Sequence, residues 1–181
     1  MTTSNWKIDA AHSGINFSIR HLISKVRGRF TKYSGAVDFD DDDLTRSVVQ
    51  ATIDASSIDT GVEQRDAHLR SADFFDVEKF PELRFRSQRI EKIEDARYRV
   101  IGELTIRDVT REVSLDVEYG GRAKDPWGNE RIGFVAKAVL SRKDFGLEWN
   151  QMLEAGGVLV GDRVDVELEL QAVRAPAEQA A

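Results

Sequence analysis

The sequence predicts an all-β protein: an antiparallel barrel of eight or nine strands, with one short helix laid over part of it. Three observations carry that prediction. Apolar and polar residues alternate along nearly the whole chain, the two-residue period of a half-buried strand. The alternating runs are short and divided by turn residues, the spacing of an antiparallel barrel or sandwich. One passage alone, Thr60–Pro81 (TGVEQRDAHLRSADFFDVEKFP), breaks the rhythm and carries helical spacing. A closed barrel is preferred to a sandwich because closure removes the edges that a long antiparallel sheet exposes.

The chain enters a strand within a few residues of its start, at MTTSNWKID. His12 falls before the first clear strand, where a turn residue bonds to backbone. Ile15, Phe17, Ile19 and His21 then share one strand face, opposite Asn16, Ser18 and Arg20. Val26, Gly28 and Phe30 form a second run, and Gly35, Val37 and Phe39 follow after a bend. Val49, Ala51, Ile53 and Ala55 make another strand; Leu83, Phe85, Ser87 and Arg89 make one more. Tyr98, Val100, Gly102, Leu104 and Ile106 alternate against Arg99, Glu103 and Thr105. Val113, Leu115, Val117 and Tyr119 come next, then Ile132, Phe134, Ala136, Ala138 and Leu140. Val164, Val166, Leu168 and Leu170 close the chain against Asp165, Glu167 and Glu169. Turns fall at Asp40–Asp43, Glu94–Ala96, Gly120–Gly121 and Asp125–Asn129. The tail, about 174–181, has little to bury and is expected to fray. No repeat or linker divides residues 1–181, which read as one domain.

In the helical passage, Thr60 and Glu63 have capping-box spacing. At about 100° per residue Val62, Arg65, Leu69 and Ala72 share a stripe, Asp66 lies at its edge and His68 on the opposite flank. A charge on the covered side of a helix must be paired or wet. Arg65 and Asp66 therefore read either as a solvated pair or, with His21, as a polar lip on an apolar chamber. Phe74, Phe75 and Phe80 add an aromatic patch before Pro81 starts the next strand.

Composition narrows the function. The net charge is −6, with no Lys/Arg-rich run, so nucleic acid and anionic membrane surfaces are not expected partners. Cysteine is absent, which removes disulfides, thiolate metal sites and thiol nucleophiles. No apolar run is long enough for a membrane span. No signal sequence is read at the start, so a cytoplasmic location is the expectation. His12, His21 and His68 have no metal-ligand spacing. Asp38–Val49 lacks the Gly and Glu of a calcium loop. Gly156–Gly161 has phosphate-loop spacing but continues Asp162-Arg163, and reads as a β-turn. There is no G-x-S-x-G elbow and no inward carboxylate pair.

The chain resembles the YceI-like proteins, a family of polyisoprenoid- or lipid-binding domains. The resemblance rests on an ordered set: Trp6-Lys7-Ile8-Asp9, His12-Ser13, Phe17 to Leu22, Val26 to Phe30, Ile58 to Gly61, Arg65 to Leu69, Phe74 to Val77, Pro81 to Phe85, Gly102 to Ile106 with Val109-Thr110, and Ser141 to Leu147. It covers about Trp6 to Val173. Asp108 departs from it, since the family commonly has Gly there, and this puts one turn's shape in question.

The resemblance implies an eight-stranded, lipocalin-like barrel holding a polyisoprenoid, isoprenoid quinone or fatty-acid-like chain. It also implies a homodimer, with no cofactor beyond the lipid and no stable membrane insertion. The candidate lumen residues are Phe17, Ile19, Phe30, Val37, Leu69, Phe74, Phe75, Phe85, Leu104, Leu115, Phe134, Ala136, Phe145 and Trp149. The candidate polar mouth is His21, Arg65, Asp66 and His68. Ligand carriage is the leading expectation. Its rivals are a solidly packed barrel serving as a stress-response or interaction module, and a lipid head-group enzyme using His21, Asp66 and His68.

Overall fold

The computed structural model describes residues 3–153 and 157–175. The strands are β1 (Thr3–Ile8), β2 (Gly14–His21), β3 (Ser24–Phe30), β4 (Tyr33–Asp40), β5 (Val48–Asp54), β6 (Ile58–Asp59), β7 (Glu82–Glu94), β8 (Arg97–Ile106), β9 (Val109–Lys124), β10 (Glu130–Ser141) and β11 (Val160–Arg174). One helix, α1 (Glu63–Arg70), lies between β6 and β7. All pairings are antiparallel, and β11 returns to pair with β1 and β2.

These segments make an eight-stranded up-and-down barrel, because three of the strands are bent in the middle. β2 pairs with β3 while β1 pairs with β4, and β3 pairs with β6 while β4 pairs with β5. Thus β1 with β2, β3 with β4 and β5 with β6 are each one long strand. The bends lie side by side at Ala10–His12, Thr31–Lys32 and Ala55–Ser57. Aspartate sets two of them: Asp9 accepts from the Ala11 N–H and Asp54 from the Ser56 N–H, side-chain bonds that compete with the ladder. The backbone stays satisfied across the kink, since the Asp54 N–H donates to Lys32 O at 2.9 Å and the Thr31 N–H to Ser57 O at 3.2 Å.

Antiparallel order fixes the two poles. The β2–β3 hairpin, α1, the β8–β9 turn and the β10–β11 connection share one pole. The β4–β5, β7–β8 and β9–β10 turns share the other. The core divides in the same way. Trp6, Val37, Phe39, Ile132 and Ala172 fill the second pole, with Tyr119 and Phe134 against them. Phe30, Ala55, Ile58, Leu83, Ile106, Val113, Phe145 and Leu147 cluster towards the helix pole.

The structure corrects several local readings. Gly120–Gly121 is not a turn: β9 runs through both. Gly121 faces Gly133 and Tyr119 faces Phe134, so Gly120 is the extra residue of a β-bulge, with Gly121 at φ +106. A second bulge, between Ser87 and Arg89, breaks the alternation of β7, so Ile90 is buried and Arg89 points outward to Glu91. The tail does not fray from residue 174, since Arg174 pairs with Trp6. Gly156, the first residue of the expected β-turn, and the end of the tail lie outside the described residues. The β8–β9 turn places Arg107 at φ +57 beside Asp108.

Candidate functional site

The barrel encloses a cavity of about 690 Å³ on the helix side of its core, within the range of small-molecule sites. Eleven of the fourteen candidate lumen residues line it: Phe17, Ile19, Phe30, Leu69, Phe74, Phe75, Phe85, Leu104, Leu115, Phe145 and Trp149. The other three do not. Val37 and Phe134 belong to the core of the opposite pole, and Ala136 is buried without reaching the cavity. All three lie on inward faces, but at the wrong height along the barrel.

Two glycines keep the space open. A Cβ on Gly28 would lie 2.4 Å from Cζ of Phe17, and one on Gly102 would lie 2.5 Å from Arg86 O and 2.7 Å from Cζ of Phe85. The tip of each ring occupies the space that a Cβ would take at a glycine of the neighbouring strand. Phe30 then packs between Phe17, tilted, and Phe75, edge-to-face, at centroid distances of 5.7 and 5.8 Å.

The helix end supplies the polar groups. His21, Arg65 and His68 line the cavity; Asp66 does not. Asp66 is 4% exposed, and its Oδ1 accepts from the Thr60 N–H at 2.9 Å and the Thr60 hydroxyl at 2.5 Å. Arg65 also serves Thr60, donating Nε to its hydroxyl at 2.7 Å and Nη2 to its carbonyl at 2.8 Å. Arg65 and Asp66 are therefore neither a solvated pair nor a matched lip; they converge on the turn before the helix. This also displaces the expected capping box. The N-cap is Val62, without a side-chain bond, because the Thr60 hydroxyl is already engaged.

His68 shares a hydrogen bond of 2.8 Å between Nε2 and Asp73 Oδ2. Its ring meets Trp149 edge-on at 4.6 Å and Phe74 at 5.2 Å. The helical wheel puts it on the far flank, but the segment after the helix and the β10–β11 connection pack against that flank. His12 is remote from the cavity, and its Nδ1 bonds the Asp9 carboxylate at 2.7 Å rather than backbone. Among the described residues no three His, Cys, Asp or Glu side chains gather as a metal site.

Among the lining residues that the sequence does not single out are Arg142 and Tyr33. Arg142 is 5% exposed, and it donates to the carbonyls of Gly161 (2.9 Å), Leu147 (3.0 Å) and Trp149 (3.1 Å). Burial pulls its pKa down, against the field of Asp162. By gathering carbonyls from both sides of the β10–β11 connection, it ties the segment bearing Trp149 to the wall. Tyr33 lines the cavity further in, and burial, then the charge of Asp9, pushes its phenol pKa up. Arg142 stands inside the Ser141–Leu147 motif, the one signal that pointed to it.

A sequence model of the YceI-like domain matches residues 6–172. A UPF0312 protein of Staphylococcus aureus strain N315 is 38% identical over 166 residues, covering 91% of this chain and 94% of its own. The crystal structure of a Campylobacter jejuni YCEI protein aligns with a TM-score of 0.74 at 33% identity, covering 85% of this chain and 88% of the other. Burkholderia cenocepacia BcnA aligns at 0.80 with 24% identity, over 91% and 98% of the two chains. A polyisoprenoid binding domain from Saccharophagus degradans, implicated in plant cell wall breakdown, aligns at 0.69 with 17% identity, over 96% and 100%. The last two likenesses bear on the fold.

Proposed function

The chain belongs to the YceI-like family, and we propose that it is a non-catalytic carrier or store for one long-chain apolar or amphiphilic molecule. The classes that fit are a polyisoprenoid, an isoprenoid quinone or a fatty-acid-like chain. The observation that carries this reading is the cavity: about 690 Å³, walled by strand Phe, Leu, Ile and Val, with His21, Arg65 and His68 contributed from its helix end. Each buried CH₂ contributes about 0.8 kcal/mol, so a chain of about ten carbons gains roughly 8 kcal/mol before ordering costs. A few polar groups at the mouth then suffice to set orientation.

The rival readings draw less support. Eight-stranded barrels can be filled by their own side chains, but here rings lie over glycines and leave space. An enzyme would need His21, Asp66 and His68 within reach of one another. Among the described residues Asp66 is bonded to Thr60 and His68 to Asp73. Titration with a fluorescent long-chain fatty acid tests the proposal. Saturable binding at one site, competed by a long-chain isoprenoid alcohol and not by a short one, is the expected result. Absence of saturable binding by either class would overturn it.

A further inference from the structure

The molecule's overall acidity conceals one basic face. Between Ala10 and Val37 there are five cations and no carboxylate. Strand alternation separates them from the lumen: Val26, Gly28 and Phe30 face inward, so Lys25, Arg27 and Arg29 stand together on the outer face of β3, beside Arg20 on β2. Arg29 is paired with Asp59. Among the described residues Arg20, Lys25 and Arg27 have no carboxylate partner.

The hairpin carrying these cations ends in two apolar residues. Ile23 is 95% exposed and Leu22 is 47% exposed. Leu22 is also strained, at φ +56, in a two-residue turn where glycine or asparagine adopts that backbone freely. A solvated turn gains nothing from Leu-Ile at this position. The β10–β11 connection adds two more apolar side chains alongside. Leu159 O accepts from the Leu22 N–H at 2.9 Å, and the adjoining bridge between Met152 and Val158 exposes both, at 82% and 53%. Isolated apolar residues on a surface need no explanation, and Trp127 at the opposite pole is one. Here four converge from two segments, and the same segments line the cavity through His21, Val26 and Leu159.

We propose that the β2–β3 hairpin and the Met152–Val158 bridge form a docking foot for a lipid bilayer carrying anionic headgroups, set beside the cavity mouth. The inference rests on the reading of the cavity as a lipid site. Its occupant is a membrane surface because both halves of the patch match one. Leu22, Ile23, Met152 and Val158 enter the boundary between headgroups and acyl chains, while Arg20, Lys25 and Arg27 stay at headgroup level on their long stems. One weak anchor alone holds a protein poorly, whereas an apolar tip combined with a basic patch holds it reversibly. That suits a carrier that must leave again. Docking by this foot places the mouth against the leaflet that supplies or receives an apolar cargo. Net charge averaged over the whole chain does not reveal it.

Vesicle flotation of the full chain tests the foot separately from the cavity. The probes are phosphatidylcholine vesicles with and without about one-third phosphatidylglycerol, and binding to the anionic vesicles is expected to be at least about ten-fold stronger and weakened by salt. Exchanging Leu22→Gly together with Ile23→Ser puts glycine at the positive-φ position of the turn, so the variant should unfold at the same or a higher temperature yet lose about ten-fold in vesicle binding. Arg20, Lys25 and Arg27 changed together to Gln should lose as much. Both variants should still bind the fluorescent fatty acid in solution, since none of the five residues lines the cavity. Foot binding with no fatty-acid binding would leave the foot standing and remove the cavity reading. Equal flotation of wild type and the turn variant would overturn the foot. A wild-type dimer that becomes monomeric on changing Leu22 and Ile23, with no vesicle binding, would assign the patch to a second copy and overturn it too.

Discussion

Phe17 and Phe134 separate binding from stability. Both are candidate lumen residues by sequence, yet Phe17 lines the cavity and Phe134 packs beside Tyr119, at 5.3 Å, in the opposite core. Phe17→Glu places a carboxylate against the lumen and should lower fatty-acid affinity by more than about ten-fold in variant protein that circular dichroism shows to be folded. Phe134→Ala should leave that affinity unchanged while costing about 3 kcal/mol of stability in thermal or urea unfolding. If the two variants exchanged these effects, the division of the interior would be wrong. Gly102 gives a second test at this scale. Alanine there meets the Arg86 carbonyl, which has nowhere to go, and should cost about 1–3 kcal/mol, with the Phe85 ring driven into the lumen and affinity falling as well. The sequence made the inward faces legible but not these two outcomes. A period of two tells which side of the sheet a residue takes and says nothing about its height along the barrel. Nor does it show that a glycine in a strand is there to receive a ring.

At the scale of elements, the helix is held by its approach more than by its own face. α1 is eight residues long, its one buried residue is Asp66, and that carboxylate reaches back to Thr60. Replacing Asp66 by Ala strands the Thr60 N–H and hydroxyl, and should cost about 1–3 kcal/mol. The expected sign is faster amide exchange across Thr60–Arg70 and weaker ligand binding; protection equal to wild type would show that the helix is held elsewhere. The amphipathic reading saw the helix and its charges but gave Asp66 to the mouth, because a helical wheel contains no partner outside the helix. The bends and bulges were hidden for a related reason. Gly120–Gly121 has the composition of a turn, and only the partner strand shows that β9 continues through it. Asp9 and Asp54 bend their strands through hydrogen bonds that alternation cannot display.

For the whole molecule, the barrel is closed and charged differently at its two poles. The pole away from the cavity is laced by Arg131, which donates to Asp125 at 2.9 Å and to Asp9 and Gln171 at 2.8 and 2.9 Å, joining β1, β10, β11 and the β9–β10 turn. Desolvation works to raise the Asp125 pKa but is outweighed by the bond from Arg131 and the N–H groups of Asn129 and Trp127, which bring it to about 2. Asp9 is lowered as well, first by Arg131 and then by His12. A carboxyl depressed in the folded state contributes stability above its ordinary value and loses it below. The melting temperature should therefore hold near neutral pH and fall as the pH drops from 3.8 towards about 2. Asp125→Asn should flatten that fall, and an identical acid profile would remove the lattice from the account. The other pole carries the cavity, the short helix and the basic hairpin. The sequence conveyed the barrel and its single helix through alternation. The placing of the cavity at one pole emerged only when the strands were set in register.

On the proposed reading the lumen holds a long-chain lipid. Native mass spectrometry of the freshly purified protein, before and after organic extraction, tests it most directly. The expected result is a discrete mass excess that extraction removes and that returns when a long-chain isoprenoid or fatty acid is added back. A clean protein mass before extraction, and again after incubation with both lipids, would contradict it.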